Sequence, residues 1–220
     1  MDLTSPARSV IPSLDADVLV ALAGITMPMT GRQISRLVEA KSHSGVGRVL
    51  ERLRNQGVVN ATAAGRAYLY TLNREHVAYP AIEALTDLRG KLFNRMSNAV
   101  STWKIPPISV AIFGSAARGD GNIDSDIDIL IVHPAELYAP GLKNSKGSPE
   151  LAAEKLSEMW DSQLTEFSQL TYLCSGNRAS LMQVTKPQLE SMVARGEPMA
   201  ASLRDEARYI WGPNLMQMIG

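Results

Sequence analysis

The sequence predicts a mixed α/β (α+β) protein of two domains, and three observations lead to this expectation. Within the first 78 residues, apolar residues first recur at helical spacing, and a short hairpin pattern follows them. The pattern changes at Tyr79-Pro80, where a long helical stripe begins. Helices and short apolar strands alternate after that stripe. We therefore expect one domain over residues 1–78 and a second over residues 79–220.

The composition is that of a globular protein. Of the 220 residues, 45% are hydrophobic and 20% are charged, which excludes disorder and coiled coil as the dominant state. No apolar run is long enough to cross a bilayer, and the first residues lack the pattern of a signal peptide. Cys174, the single cysteine, has no internal partner for a disulfide. These features predict a soluble, cytoplasmic protein that makes no membrane contact.

The charges are distributed unevenly, although the formal net charge is zero. Residues 28–79 hold eight Lys and Arg against three Asp and Glu, whereas residues 81–220 hold thirteen against sixteen. A basic segment favours contact with phosphate backbones, and an acidic one favours a bound cation. We therefore expect the two domains to have different ligands.

The first domain reads as three helices. Residues 15–23 have apolar side chains at helical spacing, with acids in the first turn. Thr30 is followed three residues later by Gln33, which is the pattern of a capping box at the start of a second helix. A third helix is expected over about residues 44–55, with Gly57 as its stop signal.

Two short strands follow the third helix, at residues 58–60 and 68–72. Gly65 lies in the turn between them and Arg66 lies near its tip, so the segment predicts a hairpin. The order of elements over residues 30–72, with the stretches GRQISRLV, SHSGVGRVLERLRNQGVV and GRAYLY, resembles the winged helix-turn-helix domain of bacterial repressors. That resemblance implies an N-terminal winged helix domain.

In that family the third helix enters the DNA major groove and the wing contacts the neighbouring backbone. The resemblance therefore implies contact with double-stranded DNA and, because such proteins bind two-fold sites, a homodimer. An alternative hypothesis is that this domain docks another protein or forms the dimer without contacting DNA. The candidate DNA contacts are His43, Ser44, Arg48, Arg52 and Arg66.

The second domain is expected to begin with a linker helix over about residues 81–103, which Pro106 and Pro107 close. Ser148, Pro149 and Glu150 have the pattern of a helix start. The remaining predicted elements are strands at 108–113, 126–132 and 179–185, and helices from 149 to about 172, from 187 to 195 and from 198 to 208.

The most informative motif joins Phe113-Gly114-Ser115 to Asp126-Ile127-Asp128 across ten intervening residues. Alternate side chains of a strand share one face, so the two aspartates are expected to converge on one or two divalent ions. A Gly-Ser bend offers backbone N–H groups and a hydroxyl to a phosphate oxygen. The motif therefore predicts a site for a magnesium-bound triphosphate.

The stretch IFGSAARGDGNIDSDIDILIV resembles the nucleotidyltransferase superfamily that shares its fold with DNA polymerase β, specifically its minimal, antitoxin-like bacterial branch. The resemblance implies a polymerase-β-type nucleotidyltransferase domain and transfer of a nucleoside monophosphate from a nucleoside triphosphate (NTP) to an acceptor hydroxyl, with release of pyrophosphate. It also implies residue roles: nucleotide binding by Gly114, Ser115, Arg118 and Ser125, and catalysis and Mg²⁺ binding by Asp126 and Asp128.

One feature departs from that family, which usually supplies a third carboxylate from a later strand. The candidate strand over residues 178–185 contains no acid, and Ser180, Met182 or Gln183 stands in the expected place. Two hypotheses follow from this departure. The protein is a Mg²⁺-dependent transferase, with a partner protein as one possible acceptor, or it is a DNA-binding regulator whose transferase domain senses nucleotide without turnover.

Overall fold

The structure is a computed structural model that describes residues 1–39, 42–135 and 149–219. Contacts between Cα atoms divide the chain into two compact units. The first unit comprises Asp2 and Thr4–Arg89, and the second comprises Met1, Leu3 and the chain from Gly90 onward. Among the described residues, none of the helices combines the length and the apolar character that a bilayer span requires.

The first unit contains helices and a small antiparallel sheet with the strand order β1-β3-β2. A 3₁₀ turn at Pro6–Ser9 precedes the regular elements. These are α1 (Leu14–Gly24), β1 (Met29–Thr30), α2 (Gly31–Leu37), α3 (His43–Asn55), β2 (Val59–Ala64), β3 (Ala67–Leu72) and α4 (Tyr79–Thr86).

The capping box and the glycine turn expected from the sequence both occur in this unit. The Thr30 hydroxyl accepts from the Gln33 backbone N–H, and the Gln33 side chain accepts from the Thr30 N–H, which completes the capping box of α2. Apolar side chains of α1, α2, α3, β2, β3 and α4 form one buried core. The hairpin of β2 and β3 turns at Gly65, whose φ is +61°.

The linker helix expected over residues 81–103 is not continuous. The structure has two helices there, α4 and α5 (Leu88–Ser101), separated at Asp87. Asp87 has φ −126° and ψ 37°, which is outside the helical region. The apolar stripe is interrupted because Ile82 packs in the core of the first unit, whereas Leu92 and Met96 pack in the core of the second.

The second unit contains a four-stranded mixed sheet with the strand order β6-β5-β4-β7. In this unit, the helix cap expected at Ser148 lies outside the described residues. Its elements are α5, β4 (Ser109–Phe113), α6 (Gly114–Arg118), β5 (Ile127–His133), α7 (Pro149–Ser175), β6 (Ala179–Thr185), α8 (Lys186–Ala194), α9 (Pro198–Asp205), β7 (Arg208–Trp211) and α10 (Leu215–Ile219).

Each face of this sheet is covered by helices. Side chains of α5 and α7 pack with Ile127, Ile129 and Ile131 on one face, and side chains of α8, α9 and α10 pack with Leu130 and Val132 on the other. Strand β5 is therefore buried on both faces, as its near-continuous apolar sequence predicts. The short elements α6, β7 and α10 are not predicted by the sequence analysis.

Candidate functional site

One edge of the second sheet brings the predicted motif together. Strands β4 and β5 are antiparallel and β5 and β6 are parallel, so the end of β4 meets the beginnings of β5 and β6. Phe113 lies opposite Asp128 in the β4–β5 pair. Asp126 is exposed just before β5, and Asp128 is half-buried in it. By strand alternation Asp128 is on the side of Leu130 and Val132, which pack with α8 and α9, and Asp126 is near enough for its charge to act on Asp128.

The bend after β4 touches Asp128. Gly114 has φ +63°, a conformation that residues with a side chain rarely adopt. A Cβ atom added to Gly114 would lie 2.7 Å from Oδ2 of Asp128, closer than any real contact allows. Glycine at position 114 therefore permits both the bend and the approach of the carboxylate to the backbone.

Ser115 is the second residue of α6, and the chain beyond this helix folds back towards it. Its carbonyl oxygen accepts from the N–H groups of Gly119 and Asp120, at 2.8 and 3.1 Å. Gly121 passes so near that an added Cβ would lie 3.0 Å from the Ser115 hydroxyl oxygen. The Ser115 hydroxyl thus lies close to the loop that leads to the aspartates.

Ser125 contributes to the structure of that loop. Its hydroxyl accepts from the Asn122 backbone N–H at 3.0 Å and donates to the Asn122 side-chain oxygen at 3.2 Å. The Asn177 side chain, which is 1% exposed, donates to the carbonyl oxygens of Asn122 and Ser125 at 3.2 and 2.9 Å. Sequence reasoning missed Asn177, because a Gly-Asn pair after a helix is an ordinary stop signal.

The two aspartates form an acidic pair without a compensating ion pair among the described residues. Burial raises the pKa of Asp128, and the neighbouring Asp126 charge raises it further, while a hydrogen bond from Ser180 and the charge of Arg118 lower it. The described part of the chain contains no group of three or more His, Cys, Asp or Glu residues that could together hold a metal ion. Two converging carboxylates fit Mg²⁺, which commonly takes one or two protein carboxylates and completes its shell with water and phosphate oxygens.

The raised pKa of Asp128 predicts a pH-dependent effect on stability. A carboxyl group that holds its proton more tightly in the folded state contributes stability at acidic pH, and this contribution is lost as the pH rises through the folded pKa. When a chelator keeps divalent ions from the site, we therefore expect Asp128→Asn to raise the melting temperature above that of the wild type at neutral pH. The variant should have little effect at acidic pH. Thermal unfolding at a series of pH values measures this difference; a lower melting temperature for the variant at neutral pH contradicts it.

Ser180, Met182 and Gln183 are the three residues that could stand where the family has its third carboxylate, and the structure distinguishes them. Ser180 is the register partner of Asp128 in the β5–β6 pair. Gln183 accepts a hydrogen bond from the Trp160 ring at 2.7 Å, on the face covered by α7. Met182 packs in the core on the other face, two residues after Ser180 and opposite Leu130. A serine therefore lies next to Asp128.

Arg118, at the end of α6, is held by two carboxylates. Its Nε donates to Asp120 at 2.9 Å, and its Nη1 donates to Glu206 at 2.7 Å. The hydrogen bond to Asp120 raises the pKa of Arg118 most, and the hydrogen bond to Glu206 raises it further. The guanidinium remains close enough to Asp128 for its charge to act on that carboxyl. Neither acidic partner was anticipated from the sequence.

The predicted DNA contacts lie in the first unit, on α3 and the β2–β3 turn. His43, Ser44 and Arg48 are exposed on α3, and Arg66 is exposed in the turn. Arg52 is also exposed on α3, where it forms an ion pair with Asp15 of α1. The guanidinium of Arg52 is thereby tied to its own unit.

Comparison with known proteins assigns part of the chain. No curated protein and no solved structure gives a significant match. Residues 94–169 match the family model described as a nucleotidyltransferase domain. This range, about a third of the chain, includes β4, α6, β5 and both aspartates, and it ends before β6. The segment that carries the Gly114 bend and the aspartate pair is therefore similar in sequence to a nucleotidyltransferase domain.

Proposed function

We propose that this protein is a Mg²⁺-dependent nucleotidyltransferase that moves a nucleoside monophosphate from an NTP to an acceptor hydroxyl. The observation that carries the proposal is the contact between the Gly114 bend and Asp128, within the segment that matches the family model. The bend offers backbone N–H groups and the Ser115 hydroxyl to phosphate oxygens, and the acids offer ligands to the cation that accompanies the triphosphate.

In the proposed reaction, an acceptor oxygen forms a bond to the α-phosphorus while the bond from that phosphorus to the bridging oxygen breaks. The hydroxyl proton is lost to solvent, and pyrophosphate leaves. Asp126 and Asp128 would hold Mg²⁺, which stabilises the charge on the attacking and leaving oxygens. The bend and Arg118 orient the phosphates, so that the α-phosphorus is presented in line with the acceptor.

The register of β6 supports a second hypothesis. Ser180, rather than an acid, lies opposite Asp128, so the described site lacks a third carboxylate that would remove the acceptor proton. Under this hypothesis the bend would still bind the phosphates and the two aspartates would still bind Mg²⁺, without a base for turnover. The second candidate function is therefore a DNA-binding regulator that senses nucleotide without turnover.

One experiment separates the two functions. The full chain is incubated with each of ATP, GTP, CTP and UTP, labelled on the α-phosphate, with and without Mg²⁺, and with its own side chains or a co-purified protein as acceptor. A rise in melting temperature together with label transfer supports the transferase. A rise in melting temperature without transfer to any acceptor supports the sensor, and no Mg²⁺-dependent rise with any NTP contradicts both.

We further propose that the first unit is a winged helix that binds double-stranded DNA and that the protein acts as a cytoplasmic homodimer. The exposed cations of α3 and of the β2–β3 turn support DNA contact. Protein docking through this unit remains the alternative. A partner protein would be one possible acceptor for the transferase.

For the DNA interface, we expect Arg48→Ala to weaken binding about tenfold and to reduce the salt dependence, because one phosphate or base contact is lost. Arg74→Ala is the matched control, since Arg74 lies over the Tyr79 ring and outside the predicted contact set. Fluorescence anisotropy with a mixed pool of duplexes at several salt concentrations measures both variants. Equal affinities for Arg48→Ala and the wild type would remove Arg48 from the interface.

A further inference from the structure

The environment of Arg118 contains a residue that the proposed function does not use. Glu206 follows α9 and accepts from Nη1 of Arg118 at 2.7 Å. The same Glu206 oxygen, Oε2, accepts from the Ser202 hydroxyl at 2.9 Å. Glu206 is 28% exposed, so its carboxylate is partly withdrawn from water and is held from two directions.

Helix formation does not explain an acid at this position. A negative charge at the C-terminal end of a helix is unfavourable, because the last carbonyl groups carry partial negative charge. Glu206 lies at that end of α9. The contact with Arg118 offsets the unfavourable interaction, and it connects the end of α9 to the end of α6.

The two acids leave part of the guanidinium unused. Arginine has five N–H donors in a rigid plane, and bonds to Asp120 and Glu206 use Nε and Nη1. Among the described residues, no hydrogen bond uses Nη2 of Arg118. Fixing Nε and Nη1 removes most of the rotational freedom of a long side chain, so a contact through Nη2 costs less entropy.

We propose that Glu206 is a positioning residue for nucleotide binding: with Asp120 it holds the Arg118 guanidinium so that Nη2 donates to a phosphate oxygen of the bound nucleotide. This inference rests on the proposed function, because it requires a triphosphate beside the Gly114 bend. In the opposite role, the two acids would neutralise Arg118 and oppose phosphate binding. The two roles predict opposite changes in affinity.

The test measures the dissociation constant of the magnesium complex of ATP, GTP, CTP and UTP for the full chain by isothermal titration calorimetry. We expect Glu206→Ala to weaken binding about fivefold, as for the loss of a partly exposed ion pair. Glu206→Gln keeps an acceptor for Nη1 and should restore part of the affinity. Glu197→Ala is the matched control, because Glu197 pairs with Arg195 at 2.6 Å at the opposite end of α9.

A double-mutant cycle distinguishes positioning from a general structural effect. If Glu206 acts through Arg118, Glu206→Ala has no further effect on affinity in an Arg118→Ala background. Tighter binding by Glu206→Ala, or the same weakening in both backgrounds, overturns the inference. If the wild-type protein binds no NTP, both the proposed function and this inference fail. If the wild type binds NTP and Glu206→Ala binds it equally well, only the role of Glu206 is overturned.

Discussion

Replacing both aspartates, in the variant Asp126→Asn with Asp128→Asn, should abolish the Mg²⁺-dependent thermal shift by nucleotide and reduce any transfer by about a thousandfold. The physical reason is the loss of both carboxylate ligands, since a bound cation stabilises transition-state charge by several kcal/mol. Melting curves with and without Mg²⁺ and NTP measure the first effect. Transfer of a label from the α-phosphate measures the second.

The appropriate control is Asp124→Asn. This exposed residue lies two positions before Asp126 in the same loop, so the variant makes the same chemical change at a neighbouring site. It should retain the Mg²⁺-dependent shift. Persistence of the shift in the double variant would show that the cation is held elsewhere, and the metal assignment would fail.

Gly114→Ala should weaken nucleotide binding strongly and destabilise the second unit by about 2 kcal/mol or more. A side chain at φ +63° costs about 1–2 kcal/mol, and the added Cβ would also displace the Asp128 carboxylate, whose Oδ2 lies 2.7 Å from its position. Denaturant unfolding gives the stability change. Calorimetric titration with the magnesium complex of an NTP gives the affinity change.

Gly196→Ala separates backbone strain from the contact with Asp128. Gly196 has φ +65° in the same unit, and an added Cβ would meet no atom within 4 Å. We therefore expect the control to have a similar backbone cost but normal nucleotide affinity. If Gly114→Ala and Gly196→Ala bind nucleotide equally well, the bend does not form part of the binding site.

The longer elements could be predicted because each has a strong local cause. The capping box at Thr30 favours the start of α2, and the continuous apolar run of β5 favours a buried strand. The short elements could not be predicted in this way. Strand β7 has four residues, and its pairing with β4 depends on contacts about a hundred positions apart in the sequence.

The apolar stripe of residues 81–103 shows the limit of periodicity. Its spacing is helical throughout, yet its two parts pack in different cores and the helix is interrupted at Asp87. Local propensity is similar for one long helix and for two shorter ones. The choice between them is made by where the apolar side chains are buried.

In the candidate site, too, some residues could be predicted from the sequence and others could not. The identities of Gly114, Ser115, Asp126 and Asp128 follow from a local motif, because glycine permits the bend and strand alternation places both acids on one face. The partners of that motif come from distant positions: Ser180 beside Asp128, Asn177 under the loop and Glu206 on Arg118. Backbone conformation and side-chain alternation are properties of neighbouring residues, whereas strand register and helix packing depend on how the whole sheet assembles, so only the folded chain identifies these partners.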